Sequence, residues 1–229
     1  TNNVYFGLNQ VNFINQDEDI ISPQEVASCK CGQKYEYSKI FYGHIGHYKC
    51  NCGKSRPIPS VSADADINIL SSTLIINSEK YGEFSVNIKL PGLYNAYNAL
   101  AAITASIELG IDKKNIIAAF KNYSTVFGRA ETLIVKNKTV LIQLIKNPIG
   151  ATEVLRTVKD DKSGRLLIII NDNYADGRDV SWLWDANFEL LSNHDKPIIT
   201  SGIRASDMAV RLKYAGIDSE NIKIISQIF

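Results

Sequence analysis

The sequence has no excess of charge, no long apolar run and no low-complexity tract, and each absence removes a class of protein. Twenty-five basic residues against twenty-four acidic ones leave a net charge of +1. That is no basic field for general nucleic-acid binding, and no polybasic stripe is there to hold a membrane. Apolar runs such as Leu166–Ile170 fall far short of the roughly 18 residues a spanning helix needs, and the amino terminus lacks a charged-then-apolar secretion signal, which points to a cytoplasmic location. The chain has no internal repeat, and its 45% hydrophobic content is that of a globular protein with a real core, long enough at 229 residues for one large domain or two ordinary ones. It begins at Thr1 without a methionine and stops inside the strand-like run Asn221-Ile-Lys-Ile-Ile-Ser226, so it is expected to be a fragment.

Cysteine is scarce, and all of it is in one place. Cys29-Lys-Cys31-Gly and Cys50-Asn-Cys52-Gly enclose Tyr35-Glu-Tyr37 and Ile40-Phe-Tyr42, which read as a short hairpin. Two short cysteine pairs, each followed by glycine and set a hairpin apart, form the pattern of a zinc ribbon closed by four thiolates. One residue separates the cysteines of each pair, tighter than the usual two, and His44 and His47 stand by as alternative ligands. A disulfide pairing suits a cytoplasmic protein poorly, and clustering argues against four inert buried thiols.

Ahead of the cysteines, Asn3–Gly7 reads as the end of a strand and Asn9–Glu25 as a loop. After them, Thr73–Ile76 and Phe84–Leu90 are predicted strands around a turn at Gly82. Leu93–Leu109 is an alanine-rich helix stopped by Gly110, with a second helix over Lys113–Asn122. Asn95 and Asn98, three apart, emerge on one face at the start of the first helix, where they serve either to bind a planar polar ligand or to cap. Phe127-Gly-Arg-Ala-Glu131 marks the expected boundary between domains 1–127 and 128–229. Paired strands Thr132–Val135 and Thr139–Ile145 follow, then a helix capped by Asn147 with Pro148 in its first turn.

From there strand and helix alternate: Leu166–Ile170 as a buried strand, Pro197–Thr200, a helix over Ala205–Tyr214, and the closing strand. The pattern predicts a small parallel sheet flanked by helices. Leu166–Ile170 leads into Asn171-Asp-Asn-Tyr-Ala-Asp-Gly-Arg-Asp-Val-Ser-Trp-Leu-Trp-Asp185, which carries Asp172, Asp176, Asp179 and Asp185 beside two tryptophans. The carboxyl end of a parallel sheet is where α/β proteins place their chemistry. The alternative is a solvated acidic loop whose tryptophans plug the edge of a core, with Asp179 capping the turn that holds Trp182 and Trp184.

Four features together resemble the Mur ligases, and within them the MurT branch: the cysteine ribbon, Gly92-Leu-Tyr-Asn-Ala-Tyr-Asn-Ala-Leu-Ala-Ala102, Phe127–Glu131, and Ala175-Asp-Gly-Arg-Asp-Val-Ser-Trp-Leu-Trp-Asp185, the last joined by Lys146-Asn-Pro148. The resemblance covers nearly the whole chain. It implies an α/β fold in which part of a Mur central domain, with a four-cysteine zinc ribbon inserted at about 26–58, precedes a small Rossmann-like C-terminal domain. It also implies an ATP-dependent carbon–nitrogen ligase that activates the D-glutamate α-carboxylate of the lipid II stem peptide. Ammonia from a GatD-type glutamine amidotransferase subunit then gives D-isoglutamine. Asn98, with Asn95, would meet the adenine of ATP, Arg129 would approach the nucleotide, and Asp179 would orient the histidine of the partner's Cys-His pair. Cys29, Cys31, Cys50 and Cys52 would hold structural Zn²⁺.

The sequence departs from the wider family in two further places. The phosphate-binding Gly-Thr-Asn-Gly-Lys-Thr loop is absent, as are the acidic and lysine residues that hold Mg²⁺ and the γ-phosphate, so the chain as it stands is expected not to hydrolyse ATP. Where amino-acid-adding relatives carry Asp-x-x-His, this chain has Gln143-Leu-Ile-Lys146, as suits a site that accepts ammonia. The competing readings are an amino-acid-adding or folate-glutamating ligase, which lacks the Ala-Asp-Gly-x-Asp-x-Ser-Trp run, and a zinc-ribbon nucleic-acid module, which neutral charge disfavours.

Overall fold

The computed structural model describes residues 3–13, 28–42, 45–123, 129–159, 161 and 164–225, with backbone alone at Tyr42, Arg129 and Ala130. The chain divides into two compact units, Thr1–Leu144 and Ile145–Phe229.

In the first unit, β1 (Phe6–Phe13), β4 (Val61–Ile67), β5 (Ser72–Ser78) and β6 (Gly82–Ile88) form one sheet in the order β1-β4-β5-β6. β1 runs parallel to β4 and the other neighbours are antiparallel. Strict alternation explains the sheet's two faces. Val61, Ala63, Ala65 and Ile67 of β4, Leu74 and Ile76 of β5, and Val86 and Ile88 of β6 are buried, while the residues between them are wet. On the covered face lie α1 (Leu93–Glu108), through Leu93, Ala96, Leu100, Ile103 and Ile107, and α2 (Lys113–Asn122), through Ile116. The spacing of the α1 residues is the 3.6-residue period of a helix with one apolar stripe.

Three expectations change here. β1 extends to Phe13 because it pairs along β4, with an irregularity between Leu8 and Gln10, so the predicted loop at Asn9 starts inside a strand; residues 14–25 lie outside the described residues. β4 was not expected, because its Val-Ser-Ala-Asp-Ala-Asp-Ile alternation uses alanine, a weak strand former. The cysteine-flanked hairpin is also longer, with β2 (Glu36–Tyr42) one continuous strand antiparallel to β3 (Ile45–Lys49). Phe41 reaches the first unit's core from β2 and holds the hairpin to it. β7 (Arg129–Val135) and β8 (Lys138–Gln143) form a separate antiparallel pair turning through Lys136 and Asn137.

The second unit contains α3 (Pro148–Val158), β9 (Leu167–Ile169), two 3-10 turns (Ser181–Trp184 and Phe188–Leu191), β10 (Ile198–Ser201), α4 (Ala205–Tyr214) and β11 (Ile222–Ile225). As the alternation predicted, β11-β10-β9 is a parallel sheet. Asn147 caps α3, its Oδ1 accepting from Gly150 N–H at 2.7 Å, and Pro148 occupies the first turn. Ala151, Leu155, Ile168, Ile170, Leu183, Phe188, Leu191, Ile198, Met208 and Leu212 form this unit's core. The expected burial of the Leu166–Ile170 strand holds on one face, since Leu167 and Ile169 are each 48% exposed. Among the described residues, no helix is long and apolar enough to cross a membrane.

Candidate functional site: a four-cysteine cluster and an acidic loop

The cysteines meet because the same short turn occurs twice. Cys29 N–H donates to Gln33 O at 2.7 Å and Gly32 N–H to Cys29 O at 2.9 Å; Cys50 N–H donates to Lys54 O at 2.7 Å and Gly53 N–H to Cys50 O at 2.9 Å. Gly32 (φ 86°) and Gly53 (φ 91°) take the left-handed conformation that lets each chain double back. The β2–β3 hairpin, with Glu36 opposite Lys49, brings the two turns together. All four Sγ atoms lie within 4.8 Å of one another, with Cys29–Cys52 at 3.7 Å and Cys31–Cys50 at 3.5 Å. A tetrahedral ion with metal–sulfur bonds of about 2.3 Å sets its sulfurs roughly 3.8 Å apart, so the four thiols fit zinc despite the one-residue gaps.

Cys29 and Cys50 are buried and Cys31 and Cys52 exposed. The Cys31 backbone N–H, then the Tyr35 hydroxyl, lower the Cys29 thiol to about 6. At Cys50 the Cys52 N–H acts in the lowering direction, but burial and the neighbouring thiols outweigh it and push that thiol up to about 12. His47 is engaged elsewhere: its Nε2 accepts from Arg56 Nη1 at 2.6 Å, its ring stands edge-on to Phe41, and Arg56 Nη2 donates to Leu8 O at 2.8 Å. His44 lies outside the described residues.

At the start of α1 the two asparagines part company. Asn95 is buried and its Nδ2 donates to Pro91 O at 2.6 Å, tying the helix to the chain that enters it, whereas Asn98 is exposed. The side chain of Arg129 lies outside the described residues; its backbone opens β7 opposite Gln143.

The acidic stretch leaves β9 at the sheet's carboxyl end and is pinned at both ends by α4 and the turn before it. At the near end, Asn171 Oδ1 accepts from Ile203 N–H at 3.0 Å, and Asp172 Oδ2 accepts from Arg204 Nε at 3.0 Å and Nη2 at 2.6 Å. A local turn follows: Asp176 N–H and Gly177 N–H both donate to Asn173 O, and Asn173 Nδ2 donates to Asp176 Oδ2. At the far end, Leu183 is buried under buried Arg211, whose Nε donates to Leu183 O and whose Nη2 donates to Ala186 O and to both carboxylate oxygens of Glu189, all at 2.8–2.9 Å. Trp184 is 55% exposed, lying edge-on to Tyr214. Between the anchors, residues 173–179 are exposed. Asp179 is therefore offered outward; its Oδ1 accepts from Ser181 N–H at 2.8 Å, and the Ser181 hydroxyl and N–H hold its carboxyl below the usual range. Sequence reasoning missed Arg204 and Arg211. Arg204 immediately precedes α4 and Arg211 lies within it, seven residues on.

Residues 144–229 match the family model described as MurT ligase C-terminal. The chain is also 38% identical over 190 residues to the lipid II isoglutaminyl synthase (glutamine-hydrolyzing) subunit MurT of Staphylococcus aureus strain COL, covering 82% of this chain and 42% of that protein. The chain carries a MurT ligase C-terminal domain and is related to MurT subunits along most of its length. The MurT subunit of Streptococcus pneumoniae strain ATCC BAA-255 / R6 is 37% identical over 210 residues, covering 90% of this chain and 44% of that protein. Among solved structures, a pseudomurein peptide ligase type C from Methanothermus fervidus superposes with a TM-score of 0.66 at 27% identity, covering 98% of this chain and 41% of that one. This chain thus spans less than half the length of the MurT relatives it matches. The acidic loop, Arg204 and Arg211 all fall within the segment matched by the MurT family model.

Proposed function

We propose that this chain is part of a ligase subunit that amidates the D-glutamate α-carboxylate of the lipid II stem peptide to D-isoglutamine. In the first step the carboxylate oxygen attacks the γ-phosphorus of ATP, giving an acyl phosphate and ADP. In the second, ammonia adds to the acyl carbon, loses a proton, and phosphate leaves as the amide forms. The ammonia comes from glutamine hydrolysed by a GatD-type amidotransferase partner, whose histidine Asp179 orients. The reaction takes place on the cytoplasmic side.

The observation that carries this reading is the placement of Asp179: an ionised carboxylate, exposed, on a loop anchored at both ends, within the stretch matched by the MurT model. A foreign imidazole N–H can reach it, and an aspartate in that position fixes the tautomer and stabilises the imidazolium. Asn98, exposed at the start of α1, is assigned to the adenine of ATP, with Asn95 fixing the helix start through Pro91 and Arg129 approaching the nucleotide. The sequence has no Gly-Thr-Asn-Gly-Lys-Thr loop, and the phosphates and Mg²⁺ are assigned to other parts of the subunit. The four cysteines would hold Zn²⁺ in a structural role, their sulfurs tying together the two turns that carry them.

The test uses the complete subunit co-purified with its amidotransferase. Asn at position 179 keeps an oxygen for the Ser181 N–H and removes the charge, so Asp179→Asn separates capping from orientation. Glutamine-dependent amidation should collapse while ammonia-dependent amidation persists. Equal loss of both would make Asp179 a structural cap and remove the basis for the division of labour.

A further inference from the structure

The acidic loop has two anchors, and they differ in depth. Arg211 is buried among Leu183, Ala186, Phe188 and Glu189, and holding that core together accounts for its position. Arg204 is not part of a core. It stands at the start of α4 with its side chain 39% exposed, yet all its recorded side-chain bonds go to two carboxylates. Nε and Nη2 grip the same oxygen of Asp172, which is only 17% exposed, and Nη1 reaches Asp207 at 3.2 Å.

The main chain repeats this attachment. Arg204 N–H donates to Ile170 O at 3.0 Å and Ile203 N–H to Asn171 Oδ1 at 3.0 Å. Gly202 (φ +89°) packs so closely that a Cβ there would sit 2.4 Å from Ile170 O. Each of the three residues at the loop's root, Ile170, Asn171 and Asp172, is thus fastened to the stretch Gly202–Arg204. Beyond the root, residues 173–177 close on themselves, and from the far side Asp179 is held by Ser181 N–H at the turn that buries Leu183, so both anchors set the position of its carboxylate and the root is one of them.

We infer that Arg204 is a positioning residue for Asp179, its guanidinium fixing the root of the acidic loop and thereby the place where the Asp179 carboxylate is offered to the partner. The inference rests on the proposal that Asp179 meets a partner's histidine. Neutral replacement leaves the main-chain fastenings, the buried core and the Ser181 bond intact, so the loop stays attached at both ends while its root loosens. A charge-assisted bond to a partly buried carboxylate is among the stronger side-chain contacts, and a carboxylate displaced by about 1 Å loses up to two orders of magnitude in a step that depends on alignment.

The experiment uses the complete subunit with its amidotransferase and compares Arg204→Met, Arg204→Lys, Asp172→Asn and Asp207→Ala. Arg204→Met and Asp172→Asn should lower kcat of glutamine-dependent amidation on the order of tenfold while ammonia-dependent amidation stays within about twofold. Arg204→Lys, with one ammonium in place of the fork, should fall between, and Asp207→Ala should match the parent protein. Amide exchange over residues 173–179 should quicken in Arg204→Met. The decisive comparison is the double variant, since Arg204→Met should take nothing further from Asp179→Asn if it acts through that carboxylate. Losses that add, equal loss of both activities, or unchanged exchange in the loop would each overturn the inference. A selective loss in Asp179→Asn beside an innocuous Arg204→Met overturns it alone, whereas an Asp179→Asn variant that retains full glutamine-dependent activity brings down the functional reading and this inference with it.

Discussion

The cysteine-flanked hairpin is the part of the molecule whose physical basis is most exposed to test, because its outer end carries the sulfur cluster and little buried apolar surface. The β2–β3 hairpin has two strands, an arrangement marginal in water on its own, and its hold on the first unit includes Phe41, partly buried Ile45, the Arg56–Leu8 bond and a bond from Lys39 Nζ to Asn9 O. The outer turns carry no apolar residue into a core apart from Cys29 and Cys50. If zinc closes them, one ion per chain is expected by elemental analysis, and cobalt in its place should show the thiolate charge-transfer bands of a four-sulfur tetrahedron. Structural zinc in small cysteine sites binds with about 10–16 kcal/mol, so losing one ligand in four should weaken zinc by roughly two orders of magnitude.

Burial then ranks the variants. Exposed Cys52→Ser should bind zinc weakly yet keep the hairpin, whereas Cys50→Ser places a hydroxyl where a buried thiol belongs and should lose both. The tyrosines report the event directly: Tyr35 packs 4.9 Å from Tyr48 and 6.2 Å from Tyr37, so chelation should change near-ultraviolet circular dichroism while α1 and the main sheet keep their far-ultraviolet signal. Protein purified in reductant without metal, whose tyrosine signal ignores both chelator and added zinc, would refute this reasoning. So would an oxidised form. Bridging Cys29 to Cys52 and Cys31 to Cys50 requires each pair to close from 3.7 and 3.5 Å to about 2.05 Å, and mass spectrometry detects the loss of hydrogens.

Four further outcomes follow from the bonds and packing already described. Replacing Arg211 by Met strands the carbonyls of Leu183 and Ala186 and should destabilise the second unit by about 2–4 kcal/mol in urea unfolding, with Arg211→Lys recovering part of it. Burial raises the Glu189 carboxyl, but its bonds to Arg211 outweigh this and leave it below its ordinary 4.5; the stability it contributes is full above pH 4.5, is lost as pH falls below that value, and should lose this dependence in Arg211→Met. Burial, with Arg56 beside it, lowers His47 below 6.5. The unfolded chain therefore takes up its proton first, and the docking of the cysteine-flanked hairpin should be complete above pH 6.5 and weaken below it, a slope that His47→Asn should remove when followed by tyrosine fluorescence. Finally, Leu100→Ala empties a fully buried site under the first sheet and should cost about 2–5 kcal/mol, measured by thermal or urea unfolding.

What the sequence made legible, and what it hid, divides along the range of the forces involved. Helices α1, α2, α3 and α4 could be read because each is decided within a turn or two: an apolar stripe, Asn147 as a cap, Gly110 as a stop. The cysteine turns could be read for the same reason, since Cys-x-Cys-Gly carries its own backbone geometry. β4 escaped because its alanines gain their place from α1 packing across them, not from any strand preference of their own. Asn95 and Asn98 share a spacing but not a fate, because Asn95 sits where Pro91 O is within reach and Asn98 one turn further out, a distinction of burial and not of pattern.

The acidic loop shows the limit most plainly. Its four aspartates are equivalent as sequence, yet Asp172 is a partly buried anchor for Arg204, Asp176 closes a local turn with Asn173, and Asp179 is left facing outward with one oxygen on Ser181. What sorts them is an arginine thirty-two residues from Asp172, brought close because β9 and β10 are neighbours in a parallel sheet. The placement of Asp179 therefore depends on a register set by Ile199 opposite Leu167 and Ser201 opposite Ile169. Altering that register would displace Arg204 relative to Asp172 by the rise of a strand residue, about 3.3 Å, more than the bond between them can span. The carboxylate offered at the surface is thus held in place by the pairing of the sheet beneath it.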